Sequence, residues 1–425
     1  MAKNSSGVGS PEKGSSRFAV LRIRSFRYYW GATLFSLIGE HIENVIRNWL
    51  IWQLTHSVFW LMVMVFMHWI PFALFSIPAG SIADRVNRQQ LILWAEIGAC
   101  GAAVAMFVTT YVGLMDQYWM SGLLILHSLS GSISNPSRQL FLHDMVGREN
   151  LLSGVALTSS LRFATQSIGK PIGGLILLTF GAAFGYFMNA LAYLPLILVL
   201  MTVVRVVQTE VPQRRRAFEE FKQGLKHMKA DKSILATIGI ATAPSIFIGN
   251  GFDPFLVIYA DLVFGMGAEG YTYLITAMGI GSLIGVLGLG AVGNVRWKGK
   301  MLIAGIFGFC ISIVIFAVSR SFVLSLIFLL LIGFFQVIYN TSSTALLLEN
   351  VPSDMRGRVM GIFNFCRLGL RTVNGPFFAI INKLVILTTA SAFAVNALTL
   401  SAAATTVALV TLSLAIFAPK IRKEN

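Results

Sequence analysis

Gly80-Ser-Ile-Ala-Asp84-Arg85-Val-Asn-Arg88 is a short charged turn set between two long apolar segments, 58–82 and 90–113. Each flanking segment exceeds the about 20 residues that a helix needs to cross a hydrocarbon core ~30 Å thick. An acid and two arginines between such segments therefore lie at a face of a membrane, where the charges stay hydrated.

The rest of the chain agrees. Of its 425 residues 56% are hydrophobic and only 12% charged, about half the charge of an average soluble domain, and the mean hydropathy is +0.73. Apolar runs predict an all-α membrane protein with twelve spans: 28–54, 58–82, 90–113, 117–138, 150–179, 183–205, 233–261, 269–293, 300–319, 321–347, 357–384 and 389–418. The net charge of +15 does not mark a nucleic-acid binder. Of 33 Lys and Arg, 26 fall at one set of span ends, and only Arg320 and Lys383 at the other. That bias places both termini in the cytoplasm of an inner-membrane protein. Residues 1–27 carry no short apolar core or cleavage site, so no removable signal is expected. Cys100, Cys310 and Cys366 are scattered within spans and suit packing, with no metal site or disulfide framework. No nucleotide loop, nucleophile elbow or metal cluster points to an enzyme.

The spans fall into two halves, 28–205 and 233–418, between a cytoplasmic N-terminal segment (1–27) and a tail (419–425). The linker 206–232 holds Phe218, Phe221, Leu225 and Met228 at helical spacing opposite Lys222, Lys226 and Lys229, an amphipathic helix for the membrane surface. The halves repeat. Asn135 through Val146 overlays Asn340 through Val351 without gaps, and the same register carries Arg162 onto Arg367 and Pro171 onto Pro376.

An ionisable group at the bilayer centre costs at least ~2.5–3.5 kcal/mol, so it belongs in a bundle interior or a wet cavity. The first span carries Glu40, Glu43, Asn44 and Arg47 on one helical face; the seventh carries Asn250 and Asp253. The fifth carries Arg162, Gln166 and Lys170, and the eleventh Arg367 and Arg371. Acids thus stand on spans one and seven and bases on five and eleven. Glu43 and Arg47, four residues apart, could simply neutralise each other. His41, His68 and His127 each suit a core position with one hydrogen bond.

Gly80, Asp84, Arg85 and Arg88 fill every position of Gly-x-x-x-Asp-Arg-x-x-Arg, and in this they resemble the loop between spans two and three of major facilitator superfamily transporters. The resemblance implies two pseudo-symmetric six-helix bundles, with spans one, five, seven and eleven around a central cavity. It implies a cytoplasmic gate in which Asp84 meets the start of span eleven (Asp354, Arg356, Arg358) and the arginines meet Asp144 and Glu149 after span four. Proton coupling then falls to Asp253, Glu43 or Glu40, and substrate contact to Arg47, Arg162, Gln166, Asn250, Arg367 and Arg371. Gly169-Lys170-Pro171-Ile172-Gly173-Gly174 resembles the Gly-Pro and Gly-Gly motif of exporters in the family, but Lys170 stands where a glycine is usual and one residue is missing before the Gly pair. Leu21 to Trp30, Trp49 to Thr55 and Asn135-Pro-Ser-Arg138 are similar to the branch holding enterobactin-type siderophore exporters and macrolide efflux proteins.

The expectation is a monomeric secondary transporter working by alternating access. It would be a proton-coupled antiporter exporting a siderophore or similar amphiphilic or anionic small molecule, with the proton gradient and no cofactor. A proton-coupled importer of a polar solute or metal chelate is the alternative, and a non-transporting receptor or scaffold the second.

Overall fold

The computed structural model describes residues 19–83, 86–204, 232–249, 252–292, 297–351, 359, 362–363, 366–367 and 392–417. No strand occurs among them. The expected spans one to three are the helices Arg24–Thr55, Val58–Ala83 and Arg88–Tyr111. Spans four to six form the run Gln117–Thr202, broken at Gly147 (φ 70°, ψ 172°) and Gly181 (φ 79°, ψ 179°) into 117–146, 148–180 and 182–202. That backbone region is open essentially to glycine alone, which is why the chain turns at these two points.

Span seven is Lys232–Phe247, then Phe252–Ile258 continuing into a π-helical turn, Tyr259–Val263. Spans eight, nine, ten and twelve are Gly267–Val292, Lys298–Val318, Phe322–Asn350 and Ala392–Phe417. Most of span eleven, the linker and the tail lie outside the described residues.

Eight described stretches are long and apolar enough to cross a membrane, one of them covering spans five and six. The first and fourth spans are missing from that set. Span one carries Glu40, Glu43 and Arg47, and span four carries His127, six serines, Asn135 and Arg138. Such helices are stable only with their polar faces turned inward, and these two form one wall of an internal cavity.

Spans one to six pack on one another, and so do the described spans of the second half. Lipid tails are as apolar as leucine, so close helix approach rather than water exclusion holds such bundles together. Gly281 and Gly333 show it within the second half. A methyl on Gly281 would stand 1.9 Å from the Leu330 carbonyl oxygen, and one on Gly333 2.0 Å from that of Met278. Spans eight and ten therefore touch backbone to backbone.

Contacts between the halves gather at the end remote from the N-terminus. The Trp52 indole N–H donates to Asp261 Oδ2 at 2.8 Å. The rings of Trp49 and Tyr271 stack with centroids 6.1 Å apart, and Thr272 Oγ1 donates to the Gly174 carbonyl at 3.2 Å. At the opposite end the described polar contacts stay within one half: Arg88 with Asp144, Gln89 with the Leu200 and Val204 carbonyls, Lys298 with Glu349.

Candidate functional site

The interior polar groups sort into four clusters. The first lies on one helix. Arg47 Nη1 donates to both carboxylate oxygens of Glu43 at 2.7 and 2.8 Å, with both side chains buried. The i, i+4 pairing expected from spacing alone is what forms. Arg47 Nε and Asn44 Oδ1 remain buried without a partner.

The second cluster joins the halves. Lys170 Nζ, from span five, donates to Asp253 Oδ2, from span seven, at 2.7 Å. The two side chains are 6% and 13% exposed, so each charge depends on the other. Sequence reading placed Lys170 on the basic face of span five and marked it as a departure from a glycine motif, without choosing it for the site. Its lysine was the signal. Gln166 lies one turn earlier, half-buried.

The third cluster lines a cavity of about 110 Å³ within the first half, to which all six of its spans contribute. Arg138 of span four pairs with the buried Glu96 of span three, whose other oxygen accepts from Ser36 Oγ at 3.3 Å. His68 Nδ1 is 3.1 Å from Ser128 Oγ, and His127 Nε2 is 2.7 Å from the Tyr193 hydroxyl. His127 thus has the single hydrogen bond expected of it, its Nδ1 being without a partner. Glu40 and Arg162 also face this cavity. The sequence reading missed Glu96, although a carboxylate inside an apolar span is the signal that flagged the other acids. It took Arg138 for an end-of-span charge.

The fourth cluster sits at the span ends nearest the N-terminus. Arg88 Nη1 donates to Asp144 Oδ2 at 2.6 Å, with both groups buried. This is the pairing the resemblance implied for the arginine of the loop. In the second half Lys298 pairs with Glu349, and Glu349 is the repeat equivalent of Asp144. So both halves carry a base at the start of the third helix of their set against an acid at the end of the fourth. Lys298 escaped notice because the second loop lacks the motif's Asp.

Other expected residues are reached only in part. Arg367 Nη1 approaches Asn340 Oδ1 at 3.4 Å and its guanidinium lies over the Phe363 ring at 5.5 Å. Gly80 lies in the second helix and Glu149 at the start of the fifth, the side chain of the latter outside the described set. Asp84, Arg85, Asn250, Asp354, Arg356, Arg358 and Arg371 lie outside the described residues. Among those described, no group of three His, Cys, Asp or Glu could hold a metal.

Two helical bundles that meet, among the described residues, toward one end, with paired charges buried between spans, have the architecture of a membrane transporter. A family profile described as Transmembrane secretion effector matches residues 15–420. The chain belongs to that family, within the major facilitator superfamily. It is similar to the staphyloferrin A transporter of Staphylococcus aureus (strain NCTC 8325 / PS 47), at 23% identity over 79% of this chain and 84% of that one. It is similar to the enterobactin exporter EntS of Shigella flexneri, at 23% identity over 80% of each chain. Among solved structures, a D-xylose–proton symporter superposes with a TM-score of 0.72 at 14% identity, over 97% of this chain and 100% of that one. A bacterial homologue of the human lysosomal transporter Spinster, in an inward-facing and unoccupied conformation, superposes at 0.65 and 13% identity, over 97% and 98%.

Proposed function

We propose that this protein is a proton-coupled antiporter of the inner membrane, exporting a siderophore or a similar anionic small molecule. The observation that carries the reading is the Lys170–Asp253 pair. It spans the two halves that must separate during alternating access, and it lies toward the end where they touch. Similarity to the staphyloferrin A transporter and to the enterobactin exporter supports the substrate class and, for the latter, the direction.

With the basic span ends in the cytoplasm, the joined end is the outer one and this conformation faces inward. One ammonium cannot hold two carboxylates equally well in a dry site. An anionic substrate arriving from the cytoplasm competes with Asp253 for Lys170 and loosens the outer contact. Once the outer end opens, Asp253 takes a proton from outside and no longer competes, and the substrate departs. The empty, protonated carrier closes at its outer end, Asp253 gives its proton to the cytoplasm, and the carboxylate so formed pairs with Lys170 again. Without substrate or proton the pair holds the outer end shut, so the empty, deprotonated carrier does not leak.

In this scheme Glu43 is neutralised by Arg47 on its own helix, a pairing that survives rocking. The pairs Arg88–Asp144 and Lys298–Glu349 brace the cytoplasmic ends of each half, with Asp84 and span eleven completing the gate. The substrate path runs past Arg162, Gln166 and Arg367.

The test is flux into inside-out vesicles or proteoliposomes under an imposed pH gradient. Asp253→Asn should abolish proton-driven accumulation while sparing counterflow of substrate down its own gradient. Normal proton-driven flux in Asp253→Asn would refute the coupling role. Accumulation driven the other way would favour an importer.

A further inference from the structure

We infer that the cavity inside the first half is a head-group subsite for a carboxylate bearing a hydroxyl or ammonium on the neighbouring carbon, held between Arg162 and Glu40. The inference rests on the transport reading above and narrows its substrate class.

Most polar groups in the cavity wall are already satisfied. Glu96 holds Arg138 and Ser36, Ser128 meets His68, and Tyr193 meets His127 Nε2. Apart from the half-buried Asn135 amide, three groups are left over. Glu40 and Arg162 make no hydrogen bond or ion pair among the described residues, although both face the cavity. The Nδ1 of His127, a residue only 6% exposed, is buried with no partner. Buried polar groups are almost always hydrogen-bonded, so an orphan ring nitrogen beside an open acid and an open base points to something that binds there.

The leftover chemistry specifies the ligand. A guanidinium offers a planar fork of donors that matches a carboxylate in bidentate fashion. An ionised Glu40 is an acceptor only, so it needs a hydroxyl or an ammonium. His127 Nδ1 can serve either group, depending on its tautomer. All three line a space of about 110 Å³, so the ligand's acid and donor must be close neighbours. The volume lies below the ~300–1,000 Å³ of a site for a whole drug-sized molecule. It fits one end of a larger substrate, with the remainder lying toward the second half. Trp69 and Phe72 supply an apolar wall beside these polar groups.

The experiment uses the full chain in lipid nanodiscs and two pairs of probes, titrated calorimetrically. Citrate is compared with tricarballylate, which lacks only the hydroxyl, and aspartate with succinate, which lacks only the amine. At least one donor-bearing probe should bind saturably, and its partner about tenfold or more weakly. Which pair responds tells hydroxyl from ammonium. Arg162→Gln and Glu40→Gln should each weaken that binding about tenfold with unchanged melting temperature. The ligand should also quench tryptophan fluorescence, and Trp69→Phe should remove the quench. The proposal is overturned if no probe binds, if members of a pair bind alike, if either variant binds like the wild type, or if the quench persists in Trp69→Phe. Binding with this pattern in a protein that shows no proton-driven flux would sink the transport reading and leave the subsite standing. Wild-type siderophore flux in Arg162→Gln would do the reverse.

Discussion

At the scale of single residues, the account turns on charges that cannot be left alone. Removing one member of a buried ion pair strands the other and typically costs about 3–5 kcal/mol, whereas removing both can be nearly neutral. Lys170→Met should therefore lower the melting temperature sharply, and adding Asp253→Asn should restore most of the loss. Additive losses would mean that the 2.7 Å contact contributes no coupling. The same cycle applies to Glu43 and Arg47. Arg47→Met should destabilise by a similar amount, and Glu43→Gln in that background should recover it, measured by thermal unfolding in nanodiscs. The pairs differ in what must move: Glu43 and Arg47 ride on one helix, while Lys170 and Asp253 ride on opposite halves.

At the scale of helices, glycines separate packing that must persist from packing that must release. Gly281→Val would drive a side chain into the Leu330 backbone carbonyl, inside the second half. A rigid backbone cannot yield, so folded protein should be lost, as read by size-exclusion chromatography. Gly279→Val meets the Ser167 carbonyl 2.7 Å away, across the boundary between the halves. Overpacking there costs about 1–3 kcal/mol, and the halves can shed it by parting. The variant should stay folded but open outward more often. In a cysteine-free background carrying Thr272→Cys, labelling by an impermeant maleimide from outside should rise. Unchanged labelling would show that this contact does not gate.

These helices also show what the sequence made legible. Hydropathy located the spans to within a few residues, because each must cover the same hydrocarbon thickness. It ended span four at residue 138, whereas the helix continues to 146, because the charge of Asp144 reads as a hydrated loop when its side chain is in fact buried against Arg88. Spacing found the Glu43–Arg47 pair because both residues share one helix. It could not find Lys170 with Asp253, 83 residues apart, because that pairing depends on how two helices are rotated against each other. Glu96 is different: a carboxylate inside an apolar span was readable, and its partner Arg138 was not.

At the scale of the molecule, two bundles touch at one end, where Trp52, Asp261, Trp49 and Tyr271 meet. In the proposed scheme rocking about the central charges opens that end as the other closes, and the Lys170–Asp253 pair sets which state an empty carrier adopts. Asp253→Asn mimics the protonated carrier. Spin labels at His56 and Gly265 report on the joined end, and labels at Val86 and Trp297 on the opposite one; all four positions are exposed. The decisive measurement is the pair of inter-label distances by pulsed electron resonance, in wild type and in Asp253→Asn. The account predicts that the substitution lengthens His56–Gly265 and shortens Val86–Trp297 together. Two unchanged distances, or two that grow in parallel, would contradict it.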